Sequence, residues 1–424
     1  MEKIIEILNS IHEVDAYQIT ETDTESIEYF LIRHDMDQSR AKKVNHITVT
    51  IYKYLDSESL GSASFEVPAG SSESAIKETI ISHLKAAEFA VNKKYDLIHD
   101  KKAKDETESL SIEDQADALL QVQNEIDETK QIWINSTEIF ANKENVHVTN
   151  SFGLDISYSF INYEMEMIIT AGNEGSEIEI YQDYQGSTVD KNQLKKKINM
   201  AMQMAADRVA AEPTSSLGKC DVVFSNEEAI SIYEYIASLC DAGMIYQKVS
   251  DCAVGRPLVE DAEDDHIQIG LRRTIPGSSR NFAYDSEGNT IADRCLINDG
   301  VVQSLCGSRQ FCTYIGYDSP MHISNFAAAG GSYSDEEIRS GSYLETVIFS
   351  GFSINPMDGT FGGEIRLAYW HHDGIITPVT GGSISGNLKT CLKNWKMSKD
   401  TAIYDYAEIP HYTRLKDVSI AGIK

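Results

Sequence analysis

Between Gln131 and Tyr184 the chain alternates apolar and polar residues with a period of two, in runs such as Ile156-Ser157-Tyr158-Ser159-Phe160 and Met165-Glu166-Met167-Ile168-Ile169. Residues two apart share one face of a strand, so the stretch predicts half-buried antiparallel strands, one pair turning at Asn150-Ser151-Phe152-Gly153. A helical pattern over about 191–211 closes this half. Pro213-Thr214-Ser215-Ser216-Leu217-Gly218 follows as the best linker. With 424 residues the chain exceeds one ordinary core. The division expected is an N-terminal α+β domain, 1–215, and a β-rich C-terminal domain, 216–424.

Upstream, Ile4, Ile5, Leu8 and Ile11 mark a helix over 1–13, and strands are expected at 15–21, 27–34, 45–54 and 61–67. Ser72 reads as the cap of a helix reaching Val91, residues 93–108 as a polar loop, and 111–130 as another helix. Downstream, Asp221-Val222-Val223-Phe224 is a short strand. Ser225 and Glu228 then have capping-box spacing before a helix that sets Ala229, Ile232, Tyr233, Ile236 and Cys240 on one face. After Val249 short strands and glycine turns dominate, with brief helical patches near 335–339 and 388–393. The fold class expected is α+β, the second domain built mainly of curved sheet.

Sixty-six acidic residues against 37 Lys and Arg give a formal charge of −29. Such a field repels polyphosphate, and no basic stripe offsets it, so nucleic acid is excluded as a partner. No run of apolar residues is long enough to span a bilayer, and Met1-Glu2-Lys3 leads into a stretch too short and too acidic for a secretory signal. The seven cysteines are widely spaced, with no C-x-x-C, and are expected to be reduced thiols filling small core positions. A cytoplasmic location follows as the expectation.

Several segments in this order resemble the TldD/TldE (PmbA) family: Asn150–Leu154, Asp221–Phe224 with its helix, Gln247-Lys248, Tyr284-Asp285-Ser286-Glu287-Gly288 and Ile297–Val302. Asn355-Pro356-Met357-Asp358-Gly359-Thr360-Phe361-Gly362-Gly363, Thr377–Leu388 and Val418–Gly422 continue the series. The resemblance spans nearly the whole chain and rests on order and spacing. It implies a peptidase-related fold historically labelled a modulator of DNA gyrase. Asn355, Pro356, Phe361, Gly362 and Gly363 are the candidate peptide-binding residues, either as a sheet opening that pairs with an extended peptide or as an internal hairpin.

The TldD branch resembles a zinc peptidase with His-Glu-x-x-x-His on the helix after the Asp221–Phe224 strand and a cysteine before the last strand. Zinc hydrolysis needs imidazoles on one helix face and a carboxylate beside the metal-bound water. Here no histidine occurs from Val148 to Asp265, and the helix offers Tyr233, Glu234, Ser238 and Leu239 at and around the corresponding positions. His411 stands near the lost cysteine, whereas the last cysteine is Cys391. The resemblance therefore favours the TldE branch, with no catalytic residue, metal ligand or cofactor of its own.

Other constellations are weaker. His12-Glu13 has no second histidine. His371 and His372 are adjacent on a strand and face opposite ways, so they do not chelate one ion. Gly382-Ser383-Ile384-Ser385-Gly386 is not a nucleophile elbow, and the acids at 261–265 lack the spacing of a calcium loop. The function expected is that of the non-zinc subunit of a TldD/TldE-type metalloprotease complex. Such a chain would be inactive alone and would shape a peptide channel with a TldD-like zinc subunit as a heterodimer, or with itself as a homodimer. A self-sufficient hydrolase with an unrecognised site and a non-catalytic peptide-binding homo-oligomer are the alternatives.

Overall fold

The computed structural model describes residues 1–105 and 111–423. The end of the polar stretch expected at 93–108 lies outside them. Over the described residues the fold is mixed α and β, built on three sheets.

In the N-terminal half, helix α1 (Glu2–Asn9) leads into two long antiparallel strands, β1 (Ala16–Ile32) and β2 (Asp35–Tyr54), with β3 (Ser59–Glu66) beside β2. The two strands expected at 15–21 and 27–34 are one. The polar residues between them do not interrupt it, because β1 is paired on both edges, to β2 and to Ile132–Asn150. A doubly paired backbone stays extended whatever its side chains, and here the charges match across the strands. Glu28 on β1 receives Arg40 and Lys42 of β2, and Glu25 receives Lys43.

The predicted alternation at 131–184 forms Ile132–Asn150, Asp155–Ala171 and Ile178–Gly186. Gly153 (φ +88°) makes the turn at 151–153. Lys102–Asp105, expected as loop, pairs parallel with Asp155–Tyr158, on an edge that Ile178–Gly186 leaves open.

Helices cover this sheet in two groups. α1 and α2 (Glu73–Ala87) bury Ile7, Leu8, Ile80 and Leu84 against Ile19, Val49 and Ile51. Ser72 caps α2 as expected, its oxygen accepting the Ala75 N–H, but the helix stops at Ala87. α3 (Ile112–Asn124) and α4 (Lys191–Val209) bury Leu119, Leu194 and Ile198 against Ile134, Met165 and Ile169. Each such side chain contributes about 1.5–3 kcal/mol by leaving water.

In the C-terminal half, Gly218–Ser225 lies between Tyr343–Ile354 and Tyr412–Ala421. The sheet continues through Ser383–Asn387 to Thr360–His372, and that strand pairs back onto Tyr343–Ile354, closing a ring. A second sheet runs through Arg294–Asn298, Ile269–Arg272, Asn325–Ala328 and Ala407–Pro410. Helix α5 (Ile230–Ser238) is packed among these strands with Ile232, Tyr233 and Ile236 fully buried.

The capping box at its start does not form. The chain enters α5 through a 3₁₀ turn at Asn226–Ala229, and the Ser225 hydroxyl donates to the Thr346 carbonyl instead. The expected linker is tied down as well: Glu212–Pro213 pairs with Val379–Thr380, and the Thr214 carbonyl accepts the Ile423 N–H. The halves also meet directly, through Ser187 N–H to the Gly277 carbonyl (2.8 Å), Arg273 with Asp105 (2.9 Å) and Phe160 against Phe282.

Candidate functional site

α5 is the helix on which the resemblance placed the imidazoles of a zinc peptidase. Of the four residues named there, Tyr233 sits fully buried, its hydroxyl 2.8 Å from Thr413 Oγ1 and its ring 5.7 Å from that of Trp395. Burial raises its phenol above the usual range, so it stays protonated.

Glu234 is half-buried and accepts a 2.7 Å hydrogen bond from the Tyr406 hydroxyl, and the Arg280 guanidinium lies 3.5 Å from the Tyr406 ring centre. Ser238 donates to the Tyr235 carbonyl within its own helix. Leu239 is buried, its carbonyl accepting the Ser250 hydroxyl. One carboxylate bound to a phenol, a phenol turned to a threonine and a leucine do not make a zinc donor set. The residues present do not fit the metal.

His371, His372 and His411 are each engaged separately. His411 lies 3.2 Å from Asp335. His371 is buried, stacked on Tyr343 and 3.0 Å from Glu345, while exposed His372 bonds to Ser342, so the two face apart.

Asp285, Glu287 and His322 come together, and no sequence spacing pointed to that trio. Asp285 is saturated: its carboxylate takes the backbone N–H groups of Glu287, Asn289 and His322. Glu287 accepts the Arg309 N–H at the start of the helix Arg309–Ile315, which the sequence reading missed, and lies 3.7 Å from His322. Burial pushes the Glu287 carboxyl up, but His322 and the Arg309 amide outweigh it and hold it low. His322 is raised by the same contact. With its inner carboxylate spent on backbone amides, the trio organises a loop junction.

Asn355–Asp358 form an exposed hairpin tip. Asn355 Oδ1 accepts the Met357 N–H, and Gly359 (φ +75°) closes the turn against the Tyr235 hydroxyl. Phe361, Gly362 and Gly363 lie inside the sheet, paired on one side to Ile354, Ser353 and Phe352 and on the other to Gly386, Ser385 and Ile384. Of the two readings of this segment, strand addition at Phe361–Gly363 has no free edge, because both are occupied. The internal hairpin is what forms. Phe361 is buried, and the exposed members of the set are Asn355 and Pro356.

An open cleft of about 620 Å³ lies on the N-terminal sheet, lined by both charge signs, among them Glu21, Asp23, Lys143 and His147. No helix among the described residues is long and apolar enough to cross a membrane.

Residues 217–422 match the family model described as the PmbA/TldA metallopeptidase C-terminal domain. A metalloprotease of Methanothermobacter thermautotrophicus is 29% identical over 210 residues, a match that spans 45% of this chain and 45% of that protein. Two crystal structures share the fold end to end. TldE from Thermococcus kodakarensis has a TM-score of 0.75 at 17% identity, covering 100% of both chains. A proposed modulator of DNA gyrase from Thermotoga maritima has a TM-score of 0.76 at 16% identity, covering 99% of each.

Proposed function

We propose that this chain, whose residues 217–422 match the PmbA/TldA metallopeptidase C-terminal domain, is the non-zinc subunit of a TldD/TldE-type peptidase complex. The observation that carries the reading is the sealed α5. Where the resemblance places the two imidazoles, near 234 and 239, the helix presents Glu234 bonded to the Tyr406 hydroxyl and a buried Leu239, beside a buried Tyr233 bonded to Thr413. The fold around it is intact, so the chain has the shape of the peptidase without its donors. Shape without donors suits a subunit that walls a peptide channel and leaves the chemistry to a partner carrying His-Glu-x-x-x-His. Asn355 and Pro356, at the exposed tip beside α5, are the residues assigned to that wall. The complex works in the cytoplasm on peptides, away from nucleic acid, as the strong negative charge favours.

Affinity purification of the tagged chain from its own cells tests this. The expected result is equimolar recovery of a zinc-binding partner, peptide hydrolysis by the complex that chelation abolishes, and no hydrolysis by the chain alone. Chelator-resistant hydrolysis by the isolated chain would replace the proposal with a self-sufficient hydrolase. Recovery of the chain only with itself would leave a peptide-binding homo-oligomer.

A further inference from the structure

Seven cysteines are present, and five of the thiols point at backbone carbonyls: Cys220 at Asp221, Cys295 at Ile297, Cys306 at Cys240, Cys312 at Gly307 and Cys391 at Lys416. The remaining two point at each other. Cys240 Sγ and Cys252 Sγ are 3.6 Å apart.

Their approach is fixed by the backbone around them. Cys240 follows α5, its N–H bonded to the Ala237 carbonyl. Ser250 Oγ donates to the Leu239 carbonyl (2.7 Å) and accepts the Cys252 N–H (3.1 Å), so one hydroxyl bolts the two cysteine-bearing segments together. Cys240 is fully buried. Cys252 is half-buried, between exposed Asp251 and the exposed run Val254–Arg256, and can be reached from solvent.

We propose that Cys240 and Cys252 form a site of reversible disulfide modification, formed by exchange with a small-molecule disulfide and clamping the end of α5 to the 250–252 segment. The hydrogen bond from the Cys240 thiol favours the thiolate on Cys252, which marks Cys252 as the attacking member. Its thiolate displaces one thiolate from the small disulfide and forms a mixed disulfide. Cys240 sulfur then attacks the Cys252 sulfur, expels the second small thiolate and loses its proton to it or to solvent. Two protein thiols and one disulfide become one protein disulfide and two small thiols. The pair makes no contact with Glu234 among the hydrogen bonds described and does not depend on the subunit role.

The test uses the full reduced chain exposed to oxidised glutathione, quenched with an alkylating reagent, digested and mapped by mass spectrometry. The expected product is a peptide pair joined at Cys240 and Cys252, with two of the seven thiols lost to alkylation and restored by a reductant. In the Cys240→Ser chain, Cys252 should instead accumulate a stable glutathione adduct, a readout that survives if the disulfide itself perturbs the fold. Alkylation of both Cys240 and Cys252 after the exposed Cys295 has fully reacted would overturn the proposal, as would cross-linking that appears only once urea has unfolded the chain.

Discussion

Tyr233 on α5 and Thr413 on the last long strand share a 2.8 Å hydrogen bond with both side chains removed from water. It joins a helix to a strand 180 positions away in sequence.

Removing one partner leaves the other buried without a mate, which costs more than the bond itself is worth. Tyr233→Phe should destabilise the chain by about 1–3 kcal/mol. Adding Thr413→Val should cost less than the sum of the two single changes. Urea denaturation of the four-member cycle reads this, and additive values would show that the bond contributes nothing.

Glu228 is pushed up to about 8, chiefly by burial and further by neighbouring Glu227. The unfolded carboxyl, near 4.5, loses its proton first. Stability tied to this group is therefore complete below pH 4.5 and falls as pH rises through 8. Glu228→Gln should match the parent at pH 4 and exceed it by about 1–3 kcal/mol at pH 8.5. Thermal melts across that range are the measurement.

His322 and Glu287 shift in opposite directions. The raised imidazole stabilises fully below 6.5 and stops doing so as pH rises through its folded value. The lowered carboxyl stabilises above 4.5 and fails as pH falls through its own. Their joint contribution peaks between those limits. As the pair is partly open to solvent, His322→Gln should cost about 0.5–1 kcal/mol near pH 5.5 and little at pH 9. An equal loss at both pH values would assign His322 a packing role alone.

Gly359→Ala forces a side chain into a left-handed conformation, and its Cβ would lie 2.8 Å from the Tyr235 hydroxyl. A loss of about 1–2 kcal/mol follows. In the proposed complex, partner affinity should fall with it. Unchanged stability would mean that the tip does not bear on α5.

Local periodicity carried most of the architecture. The alternation at 156–160 and 165–169 became one strand, and Ser72, Gly153 and Ala229–Cys240 sit where their chemistry placed them. What escaped depends on distant partners. Thr22–Ser26 reads as a break until the strands on both its sides are known, and Ser225 reads as a cap until the Thr346 carbonyl arrives beside it. Phe361–Gly363 looked like an opening because glycine permits close approach, and the chain's own strands make that approach. Asp285 and His322 meet across separate loops, a proximity that spacing cannot encode. At α5 the identities of Tyr233, Glu234, Ser238 and Leu239 were legible at once, but the bond from Tyr233 to Thr413 was not.

The closed ring of the C-terminal half begins at Gly218 and finishes beside it, since Gly218 pairs with Ile420 and the neighbouring Thr214 carbonyl holds Ile423. A pull applied through residues 214 and 423 therefore acts across the strands and not along them. The rungs between Gly218–Ser225 and Tyr412–Ala421 would open in succession, like a zip, at low force. The same ring dragged lengthwise must break several rungs together, so its mechanical strength depends on the direction of the load.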